Sequence, residues 1–360
     1  MTHDAPLSPR PLSHLTDARP RVLTARALRA HGVSAAEADE RCRPGGPWQM
    51  LLPGVFLLHP GPPTSEDRLH AALLYAERRH TLPAQGCAGQ APGGPGQAPG
   101  PEAVLTGLAA LALRGFAATP PLPALDPIDV LVPRTRRLRS VGGVRILRTR
   151  TLPEPHEVAT ITTVAGAAGL PVAPVPRALA DALARPDRAV EPRRLLTEAV
   201  RGGHSEPAAV VRALDEAGLL GRADVAEAVG ALLAESRARA EGRLYDLVRA
   251  EGLPDPCWNV ELRLPGGPPL GGVDAYWPQE AVAVEIDSRA PARPGGAVED
   301  PEWRRYAHRR ESLERLGITV VHLTPAKLSA SPAQQAAVVR TALMAAADRE
   351  PPAYVVALPR

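Results

Sequence analysis

Aromatic residues, lysine and cysteine are all scarce in this 360-residue sequence. Phe, Trp and Tyr together make up 3% of the chain, so its cores must be built mainly from Ala, Leu and Val. Lys327 is the single lysine among 42 cationic side chains, so nearly all positive charge is arginine. The three cysteines, Cys42, Cys87 and Cys257, are far apart and show no Cys-x-x-Cys spacing. This excludes a disulfide framework and a structural zinc site.

Long apolar runs and the common catalytic signatures are also missing. No run of 18 apolar residues occurs, and the first residues lack the charged segment and apolar core of a secretory leader. No Walker loop, dinucleotide fingerprint or Gly-x-Ser-x-Gly elbow is present. The formal charge of +3 is small, so any basic surface must be local. We expect a soluble cytoplasmic protein that makes no contact with membranes.

The length and the shifts in composition predict a multi-domain α/β protein. It combines a winged helix-turn-helix, a helical middle with a small β-hairpin, and a C-terminal α/β core. The predicted segments are a disordered tail at 1–20, the winged helix-turn-helix at 21–60, a mostly helical central domain at 61–230 with a low-complexity insertion at 81–103, and the C-terminal domain at 231–350.

The N-terminal segment predicts two short helices followed by a β-wing. Thr24 can cap the first helix and Ser34 the second, and Trp48 to Leu58 has the pattern of two strands around Pro53-Gly54. The second helix of such a module enters the major groove of DNA. It presents both acids and arginines, among which the DNA-binding candidates are Arg41 and Arg43. The alternative is a winged helix that contacts protein.

Three short patterns in this segment resemble the N-terminal domain of type IV antitoxins of the AbiEi family. They are Leu23-Thr24, Gly32-Val33-Ser34 and Leu51-Leu52-Pro53-Gly54-Val55-Phe56. The resemblance implies operator binding with transcriptional autoregulation, and a toxin or other protein as partner.

The central region contains the strongest basic feature of the chain. Two predicted strands, Ile128 to Val132 and Val144 to Arg148, are expected to pair as a hairpin with arginines in and after its connection. The arginine guanidinium offers a fork of donors that suits phosphate. The DNA-binding candidates here are Arg134, Arg136, Arg137 and Arg139, and Arg145, Arg148 and Arg150 follow. The alternative is a solvated loop without a ligand.

A second hairpin, from Gly272 to Asp287, gathers acidic residues. Its turn at Pro278-Gln279-Glu280 places Asp274 and Glu285 roughly opposite each other, and Asp287 is on the face of Glu285. Clustered carboxylates are costly without a cation, and Mg²⁺ is bound by one or two carboxylates plus phosphate. The alternative is an exposed hairpin whose acids are merely hydrated.

Helices predicted from Glu235 to Ala250 and from Pro301 to Leu316, followed by a strand from Ile318 to Thr324, surround this hairpin. Helix, hairpin, helix and strand with Glu241 and Asp274…Glu285-x-Asp287 resemble the restriction-endonuclease-like superfamily. The pattern is most similar to the branch related to very-short-patch-repair endonucleases.

On that resemblance Asp274 and Glu285 are the metal ligands, Mg²⁺ is the cofactor and Glu241 orients the attacking water. Many members carry Lys two residues after the Glu, and here that position is Asp287; relatives with the Glu-x-Asp form often carry a His where this chain has Ser288-Arg289-Ala290-Pro291. The cationic helper is then Arg309, with Arg304 and His308 as alternatives.

Three function classes remain open at this point. One is a DNA-binding protein whose nuclease-like domain hydrolyses phosphodiester bonds as a metal-dependent endodeoxyribonuclease. The others are a non-catalytic transcriptional regulator and an antitoxin-like protein that acts by binding a partner. The surviving acids favour the first class, and the missing Lys and His favour the other two. Because four acids are retained, we expect a DNA-binding protein with a nuclease-like domain, with the other two classes as alternatives.

Overall fold

The computed structural model describes residues 21–77, 101–162, 169–185, 190–287, 301–346 and 355–360. The predicted tail 1–20, most of the predicted insertion 81–103 and the segment 288–291 lie outside the described residues. The fold is mixed α/β and divides into two compact units. The first takes in the chain up to Gly202 together with Glu216–Leu219, and the second comprises Gly203–Asp215 and Leu220–Arg360. None of the helices in the described ranges has the length and apolarity that crossing a bilayer requires.

The first unit begins with two short helices and a three-stranded antiparallel sheet. The hydroxyl of Thr24 accepts the N–H of Ala27 at 3.1 Å, and that of Ser34 accepts the N–H of Glu37 at 3.1 Å, so both predicted caps are confirmed. The sheet order is β1-β3-β2, in which β1 was not predicted. The elements are β1 (Val22–Thr24), α1 (Ala25–Ala30), α2 (Ala35–Arg41), β2 (Gln49–Leu52) and β3 (Val55–Leu57).

A five-stranded sheet forms the centre of the first unit, where only a hairpin was predicted. Its order is β6-β5-β4-β8-β7. The strands are β4 (Val104–Leu105), β5 (Ile128–Pro133), β6 (Val144–Thr149), β7 (Ala159–Ile161) and β8 (Leu170–Val172). The helices around it are α3 (Ser65–Ala76), α4 (Gly107–Leu113), α5 (Val175–Leu183) and α6 (Pro192–Arg201), with a 3₁₀ turn at Leu122–Ala124.

The predicted hairpin between β5 and β6 is wrong, because these strands are parallel. Ile128 lies opposite Val144 and Pro133 opposite Thr149. Residues 134–143 connect the two strands. At roughly 3.3 Å per residue this loop can span about 33 Å, which exceeds the roughly 20 Å length of a six-residue strand. The chain therefore returns to the start of β5 before the second strand begins.

The second unit is built on another five-stranded sheet, of order β12-β11-β10-β9-β13. Strands β9, β10 and β11 form an antiparallel meander, and β12 is parallel to β11. The strands are β9 (Cys257–Arg263), β10 (Pro269–Trp277), β11 (Val282–Ile286), β12 (Thr319–Leu323) and β13 (Val356–Pro359). The helices are α7 (Pro207–Glu216), α8 (Ala223–Ala250), α9 (Pro301–Arg315), α10 (Pro325–Ala330) and α11 (Pro332–Ala346).

Two clusters of buried apolar side chains fix this sheet between its helices. One joins Leu244 of α8 and Val339 of α11 to Trp277 and Val284. The other joins Leu313 of α9 to strand residues. All five residues of β11 are buried, as expected for a strand covered on both faces. The centre of this unit is therefore a rigid support for any side chain that projects from β10 or β11.

Candidate functional site

The two acids predicted to be cross-strand neighbours lie on adjacent strands of the second unit. Ala275 pairs with Val284, and the same antiparallel register continued by one pair sets Asp274 opposite Glu285. Asp274 is 5% exposed and Glu285 is 7% exposed. This burial excludes the exposed hairpin with hydrated acids, because a carboxylate withdrawn from water needs partners within the protein.

Asp274 receives its partners from the strand beside it and from helix α8. Its Oδ2 accepts the backbone N–H of Ile286 at 2.6 Å, and its Oδ1 accepts from the guanidinium of Arg237. Arg237 also donates through Nε to Glu241 at 2.8 Å, one helical turn along α8. The structure therefore brings Glu241 and Asp274 together through one arginine that bridges them.

Glu285 has a separate set of partners. Its Oε1 accepts from Arg309 of α9, and its Oε2 lies 3.8 Å from Nδ1 of His322. His322 occupies the position of β12 directly opposite Glu285. Arg309, expected as a cationic helper, is thus in contact with a predicted ligand. His322 could not be predicted from the sequence, because its position depends on the pairing of β11 with β12, which no local pattern encodes.

The electrostatic surroundings of Asp274 are mixed. Burial raises the pKa of Asp274 above its ordinary value. The hydrogen bond from Ile286 and the charge of Arg237 lower this pKa, Glu241 raises it, and the charge of Arg360 lowers it. Arg360 and Arg237 were also missed as members of this site.

Two consecutive glycines of β10 give the arginines access to the acids. A Cβ on Gly271 would lie 2.7 Å from Cδ of Arg309, and a Cβ on Gly272 would overlap the guanidinium of Arg360. Gly271 also has a φ of +121°, which side-chain-bearing residues rarely adopt. The stem of Arg309 therefore lies directly on the strand backbone, beside the pair of acids.

The remaining predicted members of the site have less defined places. Asp287 is half-buried just beyond β11, and its backbone N–H donates to the carbonyl of Leu323 at 2.7 Å. His308 is exposed on α9, while the side chain of Arg304 lies outside the described residues. Within the described ranges, no group of three His, Cys, Asp or Glu side chains is close enough together to hold a metal ion.

The arginines of the central region divide into structural and exposed ones. Arg136 pairs with Glu102, and Arg145 pairs with the buried Asp129 at 2.5 Å. Arg148 donates to two carbonyls of the loop between β5 and β6, at 2.5 and 3.0 Å. Arg148 is exposed as well, and four further arginines are exposed. Among the described residues, no hydrogen bond or ion pair engages the guanidinium groups of these four, which are Arg134, Arg137, Arg139 and Arg150.

The two arginines predicted to read DNA are paired with acids of α2, in which Arg41 is the last residue and Arg43 lies just beyond the end. Arg41 donates to Glu37 at 2.6 Å and lies 4.6 Å over the ring of Trp48. Arg43 lies 3.7 Å from Glu40. Their charges are therefore balanced locally, and the helix surface gains no positive field from them.

Comparisons with known proteins add no family to these observations. No protein-family model matches the chain, and the search of curated proteins found no match.

Proposed function

We propose that this protein binds DNA and that its second unit is a nuclease-like domain, which hydrolyses phosphodiester bonds with Mg²⁺. The observation that carries this proposal is the burial of Asp274 and Glu285 on adjacent strands, each held by an arginine from a different helix. A protein rarely buries two carboxylates side by side unless cations balance them.

The order of elements around these acids supports the resemblance to restriction-endonuclease-like proteins. Helix α8 precedes a three-stranded antiparallel meander, and α9 then leads to β12, which is parallel to β11. The acids lie at the centre of this sheet, and Glu241 lies on the preceding helix. This is the arrangement that the resemblance implies for a metal-dependent nuclease.

The donor set at the site fits a hard divalent cation. Carboxylate oxygens are the ligands that Mg²⁺ prefers, and two of them suffice when substrate phosphate and water complete the coordination. Asp274 and Glu285 would hold the ion. When bound, Mg²⁺ supplies Lewis-acid polarisation of a phosphoryl oxygen and lowers the pKa of coordinated water.

The chain's own residues would orient the reacting groups. Glu241 is half-exposed and accepts a hydrogen bond from Arg237, so one of its oxygens can orient a water molecule toward the phosphate. The positive charge of Arg309 can stabilise negative charge on the phosphoryl oxygens. The exposed arginines Arg134, Arg137 and Arg139 of the first unit would supply contacts to the DNA backbone.

A plasmid-nicking assay with added Mg²⁺ or Mn²⁺ tests the catalytic part of the proposal. The wild type should nick supercoiled plasmid, whereas Glu285→Gln should not, because the variant lacks one of two anionic ligands. Glu314→Gln is the matched control, since Glu314 is exposed and pairs only with Arg310 among the contacts described. With a DNA duplex present, a thermal shift on adding Mn²⁺ should likewise disappear in Asp274→Ala. Equal nicking by wild type and Glu285→Gln would refute the assignment.

A non-catalytic regulator or an antitoxin-like protein is the second candidate. It is favoured by the ion pairs of Arg237 with Asp274 and of Arg309 with Glu285, because these pairs neutralise the buried acids without a metal. The balanced charges of Arg41 and Arg43 suit a winged helix that contacts a protein partner. DNA or partner binding without nicking, and without a metal-dependent thermal shift, would identify this function.

A further inference from the structure

We propose that Arg237 and Arg309 are shared between the buried carboxylates and the phosphates of bound nucleic acid, so that substrate binding itself exposes the metal ligands. This inference rests on the proposed function and concerns the regulation of the same site. In the free protein the two arginines act as internal counter-ions. In the complex they pair with phosphate, and the carboxylates become available to Mg²⁺.

The carboxylate oxygens of Asp274 and Glu285 already have partners within the protein. Both oxygens of Asp274 accept hydrogen bonds, from Arg237 and from Ile286. One oxygen of Glu285 accepts from Arg309 and the other faces His322. A divalent cation that approached the acids in this state would meet two guanidinium groups at close range, and like charges repel. Metal binding to the free protein is therefore disfavoured.

The arginines can reach a ligand that the acids cannot. The side chains of Arg237 and Arg309 are 40% and 33% exposed, whereas those of Asp274 and Glu285 are 5% and 9% exposed. A phosphate in solvent can thus contact the guanidinium groups directly. Arginine binds both phosphate and carboxylate through two parallel N–H donors of its guanidinium group. Phosphate can therefore compete with carboxylate for the same two donors.

The aliphatic part of the Arg309 side chain lies on the backbone of β10. Its Cδ lies against the backbone of Gly271, where any larger residue would collide with it. The stem therefore runs along the strand, and a third of the side chain is open to solvent while its guanidinium pairs with Glu285. Such a side chain can exchange one anionic partner for another without moving the helix that carries it.

The charges of the arginines and carboxylates at this site balance one another. Three arginines, Arg237, Arg309 and Arg360, lie beside three carboxylates, Glu241, Asp274 and Glu285. These six groups sum to zero before any ligand binds. Mg²⁺ alone would leave two uncompensated positive charges, and the phosphates of DNA would compensate them. The charges of these groups are therefore balanced in the free protein and again when metal and DNA bind together, but not when metal binds alone.

The consequence is a positive coupling between the two ligands. DNA should raise the affinity for metal, and metal must raise the affinity for DNA by the same factor, because the coupling free energy is reciprocal. We expect a factor of about 10, within the range of about 5 to 150 that is typical of such couplings. Removal of Arg309 should tighten metal binding to the free protein and abolish most of the coupling.

Isothermal titration of Mn²⁺ into the full-length protein, alone and with a DNA duplex, tests this inference. A gel confirms that the duplex stays intact during the titration. Wild type should bind Mn²⁺ about tenfold more tightly with DNA present. Arg309→Ala should bind Mn²⁺ about equally with and without DNA, and more tightly than the free wild type. Arg310→Ala is the matched control, since Arg310 is the next residue of α9 and pairs with Glu314.

A second variant covers the case in which Arg309→Ala does not fold. Arg309→Gln keeps a polar stem that can donate to Glu285 but carries no charge, so its coupling should also be weaker than in wild type. If wild type binds Mn²⁺ equally with and without DNA, the sharing of arginines is refuted while the metal site stands. If no variant binds Mn²⁺ in either condition, the proposed function fails, and the inference with it.

Discussion

The exposed arginines of the loop after β5 give the most quantitative prediction. We consider the triple substitution of Arg134, Arg137 and Arg139 by Ala. All three side chains are exposed, and within the described part of the chain none of their guanidinium groups is held by a hydrogen bond or an ion pair. Their removal should leave the fold intact, because the side chains are exposed and no ion pair or side-chain hydrogen bond of the described residues depends on them.

The size of the effect follows from counterion release. Each phosphate contact contributes about 0.9 to the slope of log affinity against log salt on duplex DNA. Three lost contacts should therefore flatten the slope by about 2.7. For a fourfold rise in salt, from about 50 to about 200 mM, the wild type should lose about 40-fold more affinity than the variant does. Fluorescence anisotropy with a labelled duplex over a salt series measures both slopes.

A charge-matched control separates local contacts from the general field of the protein. The triple substitution of Arg222, Arg310 and Arg315 by Ala removes the same charge, but each of these arginines is paired with an acid two to four residues away. Its salt slope should stay close to that of wild type. If both triple variants flatten the slope equally, the loop arginines are not a specific phosphate contact and the argument from their exposure is wrong.

Two further predictions concern stability. Arg145→Ala should lower the free energy of unfolding by about 3–5 kcal/mol in chemical denaturation, because it leaves the buried Asp129 without this cation. The control variant Arg137→Ala should stay within about 0.5 kcal/mol of wild type. Similar losses in both variants would contradict the division between structural and exposed arginines. Asp274→Asn should alter the pH dependence of the melting temperature. Because burial raises the pKa of Asp274, its contribution to stability is full below the ordinary pKa near about 3.9 and is lost as pH rises through the folded pKa. Asn cannot ionise, so wild type should lose stability relative to the variant across that window, and a constant difference would refute this.

Local signals in the sequence predicted much of the second unit. The short turn at Pro278 to Glu280 determines the register of β10 and β11, because few residues separate the strands. Gly317 ends α9 with a φ of +80°, as a glycine at that position predicts. The neighbouring positions of Asp274 and Glu285 followed from that register alone. Where the chemistry depends on residues close together in sequence, the pattern was sufficient.

Relations between distant residues were not accessible in the same way. Strand β5 is almost wholly buried and β6 buries only Val144 and Ile146, but neither apolar pattern contains a signal for parallel pairing. The pairs of Arg136 with Glu102 and of Arg237 with Asp274 join residues more than thirty positions apart. The sequence alone therefore does not distinguish among the seven neighbouring arginines. In the structure three of them, Arg136, Arg145 and Arg148, make internal contacts.

Arg148 illustrates what such an internal contact provides. Its guanidinium donates to two carbonyls of the loop between β5 and β6, which restricts the loop before anything binds to it. A surface that is already ordered loses less conformational entropy when it binds a ligand, and more of the gross interaction energy remains as affinity. Arg148 would thus contribute to the proposed DNA binding by ordering the backbone that carries the other arginines.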